Sequence, residues 1–116
     1  MDISLKRAYD SANQQDGYRV LVDKLWPRGV SKEAANLDDW LKEVAPSDEL
    51  RKAFHGEDLA WGEFRRRYLS ELKLHKEALR KLAKRASDQK VTLVYGAKDE
   101  QHNNAMVLKQ YLEMLC

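Results

Sequence analysis

Two short, nearly continuous apolar runs, Val20-Leu21-Val22 and Val91-Thr92-Leu93-Val94-Tyr95, restrict what this chain can fold into more than any other feature. A strand with one wet face alternates apolar and polar residues; these runs do not, so both faces must be covered. Short buried strands rich in β-branched residues, separated by helical patterns, imply an α/β fold: a small, mainly parallel sheet of about three strands flanked by helices. The first run stops at Asp23 and a loop, Leu25-Trp26-Pro27-Arg28-Gly29, and the second stops at Gly96-Ala97-Lys98-Asp99.

A chain of 116 residues can bury a real core but not two, so one domain over 1–116 is expected. Hydrophobic residues at 43% and charged residues at 34% are ordinary for a globular protein, and no apolar run approaches the roughly 20 residues of a membrane span. Met1-Asp2-Ile3-Ser4-Leu5-Lys6-Arg7 has no secretory pattern, which makes the cytoplasm the expected compartment. The single cysteine, Cys116, excludes an internal disulfide, and its place at the end of a helical pattern makes it an incidental thiol.

In chain order, Ile3 to Tyr9 alternates loosely and reads as a first strand, before the turn-rich Asp10 to Gly17. The second strand runs from Arg19 to Leu25, parallel to the first. Ser31 can cap a short helix, Leu37 to Val44 reads as an amphipathic turn or two ending at Pro46, and Ser47 caps a helix over 48–54. A long helix follows from Leu59 to Ala86, with Trp61, Phe64, Tyr68, Leu72, His75, Leu79, Leu82 and Ala86 as one apolar stripe. Its other face is basic: Arg65 to Lys90 holds ten Lys or Arg against three acids, a net +7 in a chain of net +2. The last strand is Val91 to Gly96, and the last helix runs from His102 to Leu115.

In parallel sheets, ligands gather beyond the carboxyl ends of the strands. One such end supplies Asp23, Trp26, Arg28 and Ser31, the other Tyr95, Lys98, Asp99, His102 and Asn103. If the two strands are neighbours, both sets face one crevice in which Arg28 and Lys98 favour an anion and Trp26 and Tyr95 wall the pocket. Asp23 and His102 are then the candidate proton-transfer groups. Each has a structural alternative: Asp23 as an ion-pair partner of Arg28 or Lys98, Asp99 as the N-cap of the last helix with His102 bonded back to it, Trp26 as a packing residue, His75 as a core histidine. Three scattered histidines and one terminal cysteine offer no metal-ligand spacing, and no P-loop, dinucleotide-binding or nucleophile-elbow motif occurs, so no cofactor is indicated.

The same residues carry a family resemblance. Arg19 to Glu33, Trp40 to Ser47, Glu49 to Lys52, Trp61-x-Glu-Phe-x-x-Arg-Tyr68 and Val91 to Asn103 resemble the domain of unknown function 488 family in its short YeaO-like branch, across nearly the whole chain. The resemblance implies a fold and a motif map rather than a reaction, with parallel strands and a site near Asp23 and Arg28. The chain departs from the family pattern at Lys24, where Arg is commoner, and at Phe54-His55-Gly56, where the histidine is shifted by one.

The expected function is therefore a cytoplasmic protein, enzyme or not, that binds a compact anionic or nucleotide-like ligand at the strand carboxyl ends. The alternative is a non-catalytic nucleic-acid or protein-binding module using the basic helix face.

Overall fold

In the computed structural model, which describes residues 1–115, four parallel strands form one sheet in the order β1-β4-β2-β3. They are β1 (Ile3–Arg7), β2 (Tyr18–Leu21), β3 (Asp39–Trp40) and β4 (Val91–Tyr95). The two apolar runs are neighbours, with Tyr18 opposite Val91 and Leu21 opposite Val94, and β1 flanks β4 on its other side with Ile3 opposite Val91. All five residues of β4 are buried, because this strand has a partner on each edge and cover on each face. Cys116 lies outside the described residues.

β3 corrects the expected helical turns over 37–44. The outer edge of β2 has its own carbonyls and amides to satisfy, and Asp38 N donates to Arg19 O at 2.8 Å while Leu41 N donates to Leu21 O at 3.0 Å. A helical segment there would leave those carbonyls without partners, so only Lys42–Val44 coils, as one 3-10 turn. The second strand is also shorter than Arg19 to Leu25. Its ladder ends one step past Leu21, where Val22 N reaches Val94 O, and Asp23 then turns out of the sheet.

Among the described residues there are five helices, four between strands and one after the last: α1 (Lys32–Ala35), α2 (Asp48–His55), α3 (Trp61–Leu72), α4 (Lys76–Asp88) and α5 (Asn104–Met114). Ser31 and Ser47 cap α1 and α2, accepting from Ala34 N and Leu50 N. The expected long helix from Leu59 to Ala86 is two helices, separated by a 3-10 turn at Lys73–His75. Periodicity records which side of a helix is buried, not whether its axis is straight, and α3 packs on α2 and α5 while α4 leads back to the sheet. At that corner Leu74 is 80% exposed, and His75 is half-buried rather than a core residue.

Strand alternation divides the core between the two faces of the sheet. Val20, Val22, Val91, Leu93 and Tyr95 meet Leu50, Phe64, Tyr68, Leu79 and Leu108 from α2 to α5. Leu21 and Val94 face the other way, under Ala8, Trp26, Leu37 and Trp40. This second face is thinly covered by loops and α1, and it holds a polar cluster. Arg19, 2% exposed, donates through Nη1 to Asp16 at 2.7 Å and through Nε and Nη2 to Ala35 O, and Lys6 reaches Asp16 at 3.2 Å.

Candidate functional site

Both loaded strand ends open on one cavity of about 250 Å³ at the carboxyl edge of the sheet. Asp23 sits on its wall and fastens the elements that form it. Its Oδ2 accepts from Gly96 N at 2.8 Å, just past β4, and its Oδ1 accepts from Asn104 Nδ2 at 3.0 Å, in the first turn of α5. Asn104 also donates to Val22 O at 3.1 Å. A Cβ at position 96 would stand 3.1 Å from the Asp23 carboxylate, a tight contact from which that carboxylate would have to draw back by a few tenths of an ångström. Burial pushes the Asp23 carboxyl above the usual Asp range, against the pull of the Asn104 and Gly96 hydrogen bonds and of the nearby His55 and Arg51.

Several candidates from the sequence share this cavity. Trp26 lines it, its indole fixed by Nε1 donating to Val30 O at 2.7 Å and by an edge contact with Trp40 at 5.4 Å. His102 lines it with its ring stacked on Trp61, centroids 4.8 Å apart, and its Nδ1 lies 3.8 Å from Asp99. Asn103 lines it too, but its polar atoms are committed: Oδ1 accepts from Met106 N as the α5 N-cap and Nδ2 donates to Asp99 O.

The remaining candidates stand apart from the cavity. Arg28 and Lys98 are exposed and do not line it, so the two cations expected to hold an anion do not converge with Asp23 and His102. Ser31 is occupied in capping α1, and Tyr95 is packed in the core, its phenol pushed up first by burial and then by Glu100. Asp99 is not the cap of the last helix. It accepts from His102 N and Gln101 N in the turn before, and those two bonds hold its carboxyl below the usual range. Two successive side-chain turns, at Asp99 and then Asn103, start α5 at Asn104 instead of His102.

The cavity also takes residues that sequence reasoning passed over. Arg51, Phe54 and His55 on α2, Asn104 on α5 and Phe64 on α3 complete its lining, with Lys24 and Leu25 at the loop and Pro27 and Pro46 between them. Arg51 and His55 are four residues apart and therefore share a helix face, a spacing visible in the sequence once a helix is placed over 48–55. The Nε of Arg51 is buried with no hydrogen-bond partner among the described residues, while its Nη2 and Lys24 Nζ each lie 3.3 Å from Asp48. Among the described residues no group of three or more His, Cys, Asp or Glu comes together as a metal would require, and no helix is long and apolar enough to cross a membrane.

The family profile described as the inactive DUF488-N3 subclade matches residues 2–115. The chain belongs to this subclade. It is 51% identical over 115 residues to the uncharacterized protein YeaO of Escherichia coli, covering 99% of this chain and 100% of that one. Uncharacterized proteins of Mycobacterium bovis and Mycobacterium tuberculosis are each 37% identical over 110 residues, 95% of this chain and 92% of theirs. No solved structure matches. In this DUF488-N3 chain, Asp23 hydrogen-bonds Gly96 and Asn104 and so ties the segments just past β2 and β4 to the first turn of α5, the feature on which the cavity is built.

Proposed function

We infer that this DUF488-N3 chain is a cytoplasmic binding protein for a compact anion, which it holds without transforming it. The observation that carries the reading is a charge imbalance inside the cavity. Its one lining carboxylate among the described residues, Asp23, accepts from Gly96 N–H and the Asn104 amide and not from a cation, whereas Lys24 and Arg51, which share only the exposed Asp48 outside it, line the same space with His55 and His102. A cavity of about 250 Å³ falls below the roughly 300–1,000 Å³ of drug-sized sites, which favours a small ligand over a dinucleotide.

A binding role also suits the acid and the base that a reaction would need. Both oxygens of Asp23 are spent on holding the cavity walls together, so its part is positioning, and His102 is seated against Trp61. The subclade's description as inactive is in keeping with this. On the basic helical face, Arg66 and Arg67 are paired with Glu63, Lys81 with Glu77 and Lys84 with Asp88, and Arg85 lies over the Tyr18 ring at 4.0 Å. Those internal partners leave a nucleic-acid role less support.

The test is thermal unfolding against small carboxylates and phosphates. An anion at about a hundred times its dissociation constant stabilises the fold by about 2.7 kcal/mol. The shift is expected to vanish in Arg51→Gln and to survive in Arg28→Gln and Lys98→Gln. Equal shifts in all three variants would refute the placement, and no shift with any anion would refute the reading.

A further inference from the structure

We propose that the anion is a single-ring aromatic carboxylate, its ring between Trp26 and the Phe54–Phe64 pair and its carboxylate on Arg51. This rests on the anion-site reading above and names the ligand class. The cavity lies at the edge of the sheet, where the two faces of the core come together. Trp26 belongs to the cluster on one face and Phe64, with Phe54 packed against it, to the cluster on the other. The cavity is therefore bounded by ring systems from both layers.

Both walls are tied to their surroundings. The Trp26 indole is pinned by its bond to Val30 O, and Phe54 and Phe64 are stacked with centroids 4.3 Å apart and planes 21° from parallel. An inorganic anion between such walls would shed water onto surfaces that return no hydrogen bonds, whereas a ring buries apolar area there and gains aromatic contacts.

The donors favour a carboxylate over a phosphate. The side-chain amides of Asn103 and Asn104 are already committed, to Asp99 O and to Asp23 and Val22. Arg51 Nε remains as a buried guanidinium donor with no partner among the described residues, and the two-point grip that a carboxylate accepts is completed by Nη2, which the ligand would share with the exposed Asp48 at 3.3 Å. His55, on the same face of α2, adds a second donor when protonated. A phosphate's additional oxygens would fall to Lys24, which already shares Asp48 at 3.3 Å, and to His102, whose ring is stacked on Trp61, in a lining otherwise rich in Trp26, Pro27, Pro46 and Phe64.

The experiment is titration calorimetry of the full chain with benzoate, cyclohexanecarboxylate, benzamide and inorganic phosphate. Benzoate is expected to bind roughly two- to tenfold more tightly than its saturated analogue, the range that ring–ring contacts supply. Benzamide and phosphate are each expected to bind at least about tenfold more weakly than benzoate, because one lacks the charge and the other the ring. In Phe54→Leu the preference for the aromatic ring disappears while cyclohexanecarboxylate still binds. A saturated acid or phosphate that binds as well as benzoate overturns the ring class and leaves an anion site standing. Silence from all three anions overturns the anion reading with it, and benzamide equal to benzoate overturns the role given to Arg51. The ligand series on the unmodified chain decides these outcomes even if the variant does not fold.

Discussion

Replacing Asp16 by Ala tests how the cavity's loop wall is held in place. Arg19 is 2% exposed and its guanidinium is shared between Asp16 and Ala35 O, so it ties the turn before β2 to the last residue of α1. Trp26 lies on the segment between those two anchors. Removing the carboxylate strands a buried cation, a loss that typically costs about 3–5 kcal/mol, and it also frees Asn13 N, which Asp16 accepts from at 2.9 Å. Against a total stability of roughly 6–17 kcal/mol for 116 residues, that is a large fraction. At about 1–3 kcal/mol per molar urea, the unfolding midpoint, read by tryptophan fluorescence, should fall by roughly 2 M. Arg19→Met alone should cost less, because Asp16 keeps Lys6 and Asn13 N, and the double variant should recover part of the Asp16→Ala loss. Burial opposes the charge on Asp16, but Asn13 N–H, Lys6 and Arg19 together hold its pKa below the usual Asp value. Its contribution is therefore present above the unfolded-state pKa near 3.8 and lost as pH falls through the lower folded-state value. A cost below about 1 kcal/mol, or strictly additive single variants, would refute the account of Arg19 as a buried cation dependent on one acid.

Asp23 should show the opposite pH sign. Its raised pKa means that the folded chain binds the proton more tightly, so wild-type stability should drop relative to Asp23→Asn as pH climbs from the ordinary Asp range through the folded-state pKa; a wild-type-minus-variant difference in urea midpoint that stays flat between acid and neutral pH would contradict this. Gly17→Ala should destabilise by more than about 2 kcal/mol, since φ is +68° and the new Cβ would lie 2.4 Å from Lys90 O, whereas Gly29→Ala, at φ +79° but in open space, should cost clearly less in the same assay. Ser31→Ala should cost about 1 kcal/mol of stability through the lost α1 cap and leave anion affinity unchanged; a weakened affinity in calorimetry would place Ser31 at the ligand after all.

The sheet was legible because its signal is local. Uninterrupted burial over Val20–Val22 and Val91–Tyr95 demands partners on both sides, and the parallel pairing of those two runs follows from the helices between them. β3 was not legible, since Leu37, Trp40, Leu41 and Val44 recur at helical spacing, and Asp39–Trp40 becomes a strand only by satisfying the edge of β2. The corner at Lys73–His75 contains no Gly or Pro, so nothing short-range announces it. At the site, Asp23, Trp26 and His102 could be found because they stand directly at strand ends. Arg51 and His55 reach the cavity from a helix distant in sequence from both strands, a placement set by tertiary packing. Arg28 and Lys98 show the converse: they adjoin the strand ends in sequence, yet they are exposed and do not line the cavity.

The order β1-β4-β2-β3 places the latest strand to be synthesised between the two earliest. A nascent chain emerging from the ribosome has no partner for β1, and only the two-residue β3 for β2, until residues 91–95 have been added, and the contacts from Asp23 to Gly96 and Asn104 close only after that. Such long-range closure slows folding and leaves two apolar segments for chaperones to shield through most of translation. The cavity walls that Asp23 fastens therefore come together only once residues 96 and 104 have been added.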